Sequence, residues 1–346
     1  MSDEEKKEKK TFSVYLDPEV IEKIDREAAE KKMKRSPYLA KKLTELATGE
    51  HEEETELPLI LVMSSHKGGV AKTITAANLA VEFAIQDKKT LVIDLDGQGS
   101  ISEYLHVYDE GNEKPCIADV MVTQMDGSSK RLSEVKRHAE VVDDEGESHI
   151  IENLEVVPSD LRFDNADSKM KNSSMAGVDT RLRDAIKDLI DEVAEAGDAP
   201  YELIIIDCPP RVDLVTTNAI TALGAGKSSS MVIVPVRPDG FSKRGMESTV
   251  SAIEAVSRSK KTRMANWMLL RTIDEPRTNL SRLLEDTVKE DFPDAKFLDT
   301  KIDKAVVVME SSQFYTPLAY YAPNSKSRSQ YIELAQEIEE IANGDE

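Results

Sequence analysis

Cysteine is almost missing from this chain of 346 residues, which has only Cys116 and Cys208. Two thiols make neither a disulfide framework nor a four-cysteine metal site. No apolar run approaches the roughly 18 residues of a membrane span, and the first ten residues, MSDEEKKEKK, lack the apolar core of a signal peptide. Basic charge is also short, with 45 Lys and Arg against 66 Asp and Glu for a net charge of −21. Taken whole, that balance argues against nucleic acid as a partner. What is present is 40% hydrophobic residues, enough for a globular protein, and a length suited to about two domains. A soluble, cytoplasmic protein is expected.

The acidity is unevenly spread. Residues 31–42, KKMKRSPYLAKK, carry six basic side chains and no acidic one. Residues 49–56 follow as an acidic stretch ending before Leu57-Pro58, with the character of a solvated linker. The expected organisation is a tail over 1–10, disordered by its composition, a small unit over 11–48, the linker 49–56 and a body over 57–346. Residues 1–48 hold 12 basic and 11 acidic side chains, so nearly all of the net charge lies beyond them.

The body alternates short apolar runs, at 57–64, 90–95, 203–207, 231–236 and 267–270, with helical patterns such as 72–86, 179–196, 242–257 and 278–291. Near-continuous apolar strands separated by helices predict an α/β fold with a mainly parallel sheet and helices on both faces. In such folds ligands bind at the carboxyl ends of the strands. After the first run comes Lys67-Gly68-Gly69-Val70-Ala71-Lys72-Thr73-Ile74. Two glycines let backbone N–H groups turn inward and a helix start adds positive potential, which together cradle a phosphate. Lys72 is placed to reach the terminal phosphates and Thr73 to ligate Mg²⁺. The plain G-x-x-x-x-G-K-[ST] pattern fails at His66 and Ala71, and the match is to the deviant form with its extra lysine, Lys67.

The second run ends Asp94-Leu95-Asp96-Gly97-Gln98-Gly99. Period two places Asp94 and Asp96 on one side, and the pair with its glycines suits a site that orients water towards a phosphoryl group. The third run ends Asp207-Cys208-Pro209-Pro210, where an aspartate would hold Mg²⁺-bound water and the prolines stop the strand. Cys208 and His66 read as packing and loop residues, since neither has a partner at ligand spacing.

Together these segments resemble the ParA/MinD class of deviant Walker ATPases, and within it the ParA-type DNA partition ATPases. The resemblance runs from about Leu57 to Ile341 and includes Thr216-Thr217-Asn218-Ala219-Ile220, Val234 to Ser242, Pro276 to Ser281 and Tyr321 to Lys326. It implies a P-loop NTPase fold, ATP and Mg²⁺ as cofactors, an ATP-sandwich homodimer and slow hydrolysis of ATP to ADP and phosphate. It makes Lys67 the signature lysine that reaches the partner's nucleotide and Lys72 the P-loop lysine. Thr73 becomes the Mg²⁺ ligand, Asp96 the residue orienting water and Asp207 the Mg²⁺ aspartate. Residues 67–74 line the nucleotide. Three positions depart from the pattern. Ala71 replaces a glycine and is acceptable if its φ is negative, Ile74 stands where a second threonine is frequent, and Arg211 replaces a small serine.

In the N-terminal unit, TFSVYL over 11–16 alternates, with Phe12, Val14 and Leu16 on one side and Thr11, Ser13 and Tyr15 on the other. Asp17-Pro18 starts a helix with Val20, Ile21, Ile24 and Ala28 apolar, and Ser36-Pro37 starts a second with Leu39, Ala40, Leu43, Leu46 and Ala47. One strand and two helices bury too little core alone, so dimerisation is expected. The unit resembles a ribbon-helix-helix DNA-binding domain. By position Thr11, Ser13 and Tyr15 would meet base edges and the Ser36 helix start would meet phosphate.

The resemblance implies DNA partition. An ATP-bound dimer would bind nucleoid DNA nonspecifically and be released when a ParB-type partner stimulates hydrolysis. Lys304, Lys326 and Arg328 would contact DNA, or alternatively the Arg258, Lys260, Lys261 and Arg263 cluster. Two rivals stand beside it. One is an ATP-switched transcriptional repressor with incidental turnover, supported by the N-terminal unit. The other is a MinD-like positioning ATPase, which needs a basic amphipathic C-terminal helix where this chain has the acidic run 331–340.

Overall fold

The computed structural model describes residues 18–30, 34–48, 56–122, 129–143, 145–172, 177–239, 242–260, 266–275, 279–293 and 295–344. The chain divides into two compact units, Met1–Thr55 and Glu56–Glu346.

The smaller unit contains helices Pro18–Glu30 and Arg35–Thr48. Pro18 opens the first, as expected of a residue with no N–H to leave unpaired. The second begins one residue before Ser36. Ala28 and Tyr38 are buried, and Arg35 Nε donates to Asp25 Oδ1 (2.5 Å) across the helix pair. Val20 and Leu43, expected on apolar faces, are exposed; two helices of this length have too little surface to cover them. The expected tail over 1–10 and the strand over 11–16, with Thr11, Ser13 and Tyr15, lie outside the described residues.

The larger unit is built on an eight-stranded sheet. Its strands are β1 (Leu59–Met63), β2 (Thr90–Asp94), β3 (Arg137–Val142), β4 (Ser148–Val157), β5 (Leu203–Asp207), β6 (Met231–Val236), β7 (Asn266–Asp274) and β8 (Phe297–Asp303). The order is β3-β4-β2-β5-β1-β6-β7-β8, parallel throughout except for the antiparallel pair β3/β4. Along β1, Ile60 and Val62 enter one core while Leu59, Leu61 and Met63 enter the other. Period two in a strand covered on both faces produces this split. The first core is closed by helices Arg181–Ala196, Leu214–Ala222 and Ser242–Lys260. The second is closed by Lys72–Ile85 and the last helix, Lys326–Gly344, through Tyr331, Leu334 and Ile338.

The five expected apolar strands are β1, β2, β5, β6 and β7. The β3/β4 hairpin and β8 were not anticipated. They are edge strands with mixed burial, so their polar residues break the apolar run that marks a central strand.

The parallel register decides where the site forms. Met63 and Asp94 both lie opposite Asp207, so the loops leaving β1, β2 and β5 emerge side by side at one end of the sheet.

Candidate functional site

The loop leaving β1 turns through Lys67–Ala71 into helix Lys72–Ile85. Gly69 has φ +70°, and a Cβ built on Gly68 or Gly69 would meet nothing within 4 Å, so the turn presents bare backbone to open space. Ala71 also has a positive φ, 57°, contrary to the condition set for a non-glycine residue there. The turn requires a left-handed residue immediately before the helix, and an alanine pays roughly 1–2 kcal/mol to supply it.

Neighbouring strands hold the loop. Thr272 Oγ1 on β7 donates to Val70 O (2.9 Å), Thr249 Oγ1 accepts from His66 N (3.0 Å), and Ser64 N donates to Ile233 O (3.1 Å). Thr249 and Thr272 carry no motif, and their role follows only from the sheet order. Ile74 packs against the second core and lines the pocket.

Lys72 is only 7% exposed. Thr73 Oγ1 donates to Asp207 Oδ2 (2.7 Å), joining residues far apart in sequence. Asp207 is 1% exposed, and its other oxygen, Oδ1, is buried without a hydrogen-bond partner. Burial pushes its carboxyl up to about 7, against the pull of the Lys72 charge and the Thr73 bond. A hydroxyl and a carboxylate with a vacant buried lone pair suit a hard cation such as Mg²⁺ or the water it carries. Beside them a cavity of about 510 Å³ is lined by Gly69 and residues 71–74, facing Tyr104, Met309 and Tyr315. Lys67 Nζ reaches both carboxylate oxygens of Asp239 (2.6 and 2.5 Å).

Asp94 and Asp96 play different parts. Strand β2 ends at Asp94, so period two does not extend to Asp96. Asp94 is fully buried; its carboxylate accepts from Ser102 Oγ (2.6 Å), Ser102 N (3.3 Å) and Asp96 N (2.9 Å). It anchors the loop. Asp96 is partly exposed and accepts from Gln98 N (3.1 Å) in a local turn. Gly99 closes this loop with φ +63°; a Cβ there would lie 2.5 Å from Tyr108 and 2.8 Å from Ser159 O.

Burial, then the nearby Asp207 charge, raises Asp94 to about 8 from 3.8. The folded chain therefore holds a proton that the unfolded chain releases near pH 4. This contribution to stability is complete below that pH and is lost as pH rises through about 8. The melting temperature of the nucleotide-free protein should fall by more than about 2 °C between pH 5 and 9, and Asp94→Asn should flatten that slope. Thermal unfolding across the range checks it; equal slopes in both proteins would assign the dependence to other groups.

The basic residues expected to meet DNA are already engaged. Lys304 pairs with Glu275 (2.9 Å) and Lys326 with Asp303 (2.5 Å), both near the surface. Arg328 is mostly buried and grips Glu82 through Nε (2.9 Å) and Nη2 (3.3 Å). Ser36 is exposed on its helix, and Arg258 pairs with Glu254 (3.4 Å). Lys261 and Arg263 lie outside the described residues. Cys116 and Cys208 are buried and unpaired with each other.

A glycine-turned loop between a strand and a helix, ending in Lys-Thr and facing an aspartate at the tip of an adjacent parallel strand, defines a P-loop nucleotide-binding protein of the deviant ParA type. Residues 59–266 match the AAA_31 family (AAA domain), and the chain belongs to that family. It is 29% identical over 285 residues to the sporulation initiation inhibitor protein Soj of Bacillus subtilis, covering 82% of this chain and 99% of Soj. It is 28% identical over 279 residues to the chromosome partitioning protein ParA of Caulobacter vibrioides, covering 81% and 93%. Among solved structures, the fold resembles cobyrinic acid a,c-diamide synthase of Mycobacterium smegmatis with a bound ATP analogue and magnesium. There the TM-score is 0.62 at 22% identity, over 84% of this chain and 98% of the other.

Proposed function

We propose that this protein is a DNA partition ATPase that binds ATP with Mg²⁺ and hydrolyses it slowly to ADP and phosphate. The observation that carries the reading is the Thr73–Asp207 bond with the vacant Asp207 Oδ1, set beside the Lys72 turn. Thr73 and Asp207 would hold the Mg²⁺, whose chemistry is to neutralise charge on the β- and γ-phosphates. Lys72 binds the same phosphates from the helix start, and the bare backbone of residues 68–71 donates to them. Asp96 orients the attacking water from the adjacent loop. Such catalysis needs placement and charge more than covalent chemistry.

Lys67 belongs to the proposed dimer. In one chain it is neutralised by Asp239, and it must leave that carboxylate to reach the nucleotide of a second subunit in an ATP sandwich. The dimer would then bind nucleoid DNA without sequence preference, and a ParB-type partner would release it by stimulating hydrolysis. The names of the Soj and ParA relatives support partition over the other activities this fold hosts. A MinD-like role is disfavoured because the last helix turns Tyr331, Leu334 and Ile338 into the core, leaving no such apolar face for a membrane.

The N-terminal unit, residues 11–48, is proposed as a ribbon-helix-helix operator reader on the acidic linker 49–56. DNA binding by the body should require ATP, weaken steeply with salt and survive removal of residues 1–48. Protection of one palindromic operator should vanish with those residues. Footprinting and a salt series on both forms test this. Operator protection alone, without ATP-dependent sequence-blind binding, would favour a repressor in which turnover is incidental.

A further inference from the structure

Arg211 stands four residues beyond Asp207, where the family pattern has a small serine, and the nucleotide site does not use it. Its backbone is fixed: its N–H donates to Pro209 O (2.8 Å) and its carbonyl accepts from Thr216 Oγ1 (2.6 Å). Its guanidinium faces three carboxylates, at 2.8 Å from Asp213, 3.2 Å from Asp167 and 3.8 Å from Asp164. Asp213 caps helix Leu214–Ala222 by accepting from Val215 N and Thr216 N, and Lys171 pairs with both Asp213 (2.9 Å) and Asp167 (2.7 Å). Asp164 and Asp167 lie on helix Arg162–Lys171. The side chain therefore joins the loop carrying Asp207 to that helix.

The far side of the same helix meets the water-orienting loop. A Cβ built on Gly97 would fall 2.8 Å from Asp164 Oδ1 and 2.9 Å from its Cγ, so the Asp164 carboxylate lies directly against the backbone of the residue after Asp96. Asp164 is half exposed, whereas Asp167 and Asp213 are mostly buried. Arg211 thus grips two firm carboxylates and holds the loose third one over Gly97. A planar guanidinium can serve several carboxylates at once; a serine cannot reach them, and an ammonium offers one point charge.

We infer that Arg211 is a positioning residue for hydrolysis, acting through Asp164 to hold the Asp96 loop against the Asp207 loop. The inference rests on the reading of this site as an ATPase. Misplacing a water-orienting group slows the chemical step without touching the contacts that bind phosphate. Arg211→Ser and Asp164→Asn should each lower kcat about fivefold or more at unchanged KM for ATP, with Arg211→Lys retaining more than Arg211→Ser. Because both act along one path, the double variant Arg211→Ser/Asp164→Asn should lose little more than either single one.

Steady-state ATP turnover of the full chain with Mg²⁺ and DNA, with melting temperatures measured in parallel, tests this. Asp164→Asn changes a half-exposed side chain and keeps the test usable if Arg211→Ser fails to fold. Turnover by the parent with kcat unchanged or raised in Asp164→Asn would overturn the role of Arg211 and leave the ATPase reading standing. A rise in KM matching the fall in kcat, or equal losses in Arg211→Lys and Arg211→Ser, would also overturn it. No turnover by the parent chain would overturn the ATPase reading and this inference with it.

Discussion

Lys72→Ala should weaken binding of Mg²⁺-ATP about a hundredfold and abolish ATP-dependent DNA binding. The ammonium is placed at the first turn of helix Lys72–Ile85, shielded from water, where charge-assisted contacts to phosphate are worth about 1.5–3 kcal/mol each. It also does work before any nucleotide arrives. Its charge is the largest influence holding the Asp207 carboxyl down against burial. Without it Asp207 shifts further up and becomes more often protonated near neutral pH, which spoils the oxygen that would face Mg²⁺. One substitution therefore removes a direct phosphate contact and damages the cation side of the site. Calorimetric titration with Mg²⁺-ATP, beside circular dichroism to show that the fold persists, checks the prediction. Affinity equal to the parent's would sink the assignment of this loop as the phosphate cradle.

Much of the site was legible because its chemistry is local. Residues 67–73 form one segment between an apolar strand and a helix, and phosphate binding depends on that order alone. The pairing of Thr73 with Asp207 was legible for a different reason: both lie at the carboxyl ends of parallel strands, and such ends converge. The supports were not legible. Thr249, Thr272 and Asp239 are single polar residues that reach the loop because β6 and β7 lie beside β1, an order fixed by packing across the whole sheet. Ala71 was misjudged because composition does not report φ; a turn held from both sides can impose a left-handed residue on an alanine. Asp94 was misjudged because the strand stops one residue sooner than its apolar run. The same locality explains Arg211. It was visible as a departure from the family pattern, but its meaning depends on a helix that begins 49 residues earlier and on a glycine in another loop.

Asp96→Ala should preserve ATP binding and ATP-driven self-association while reducing turnover about a hundredfold or more, the scale on which a well-oriented attacking group matters. The two effects separate because of where the side chain is anchored. Its carboxylate accepts from Gln98 N within its own loop, and the loop itself is held by Asp94 through the Asp96 N–H, which alanine retains. Removing the carboxylate should even favour the cation side of the site. The Asp96 charge raises the Asp207 carboxyl, so its loss leaves Asp207 more readily ionised beside Thr73. Binding of Mg²⁺-ATP should therefore be equal to the parent's or tighter, the opposite direction from Lys72→Ala. Light scattering with ATP should show the associated species persisting, and phosphate release should fall to a small residue. Turnover at the parent rate would place water orientation on another group, whereas loss of both binding and turnover would mean that Asp96 serves the phosphates themselves.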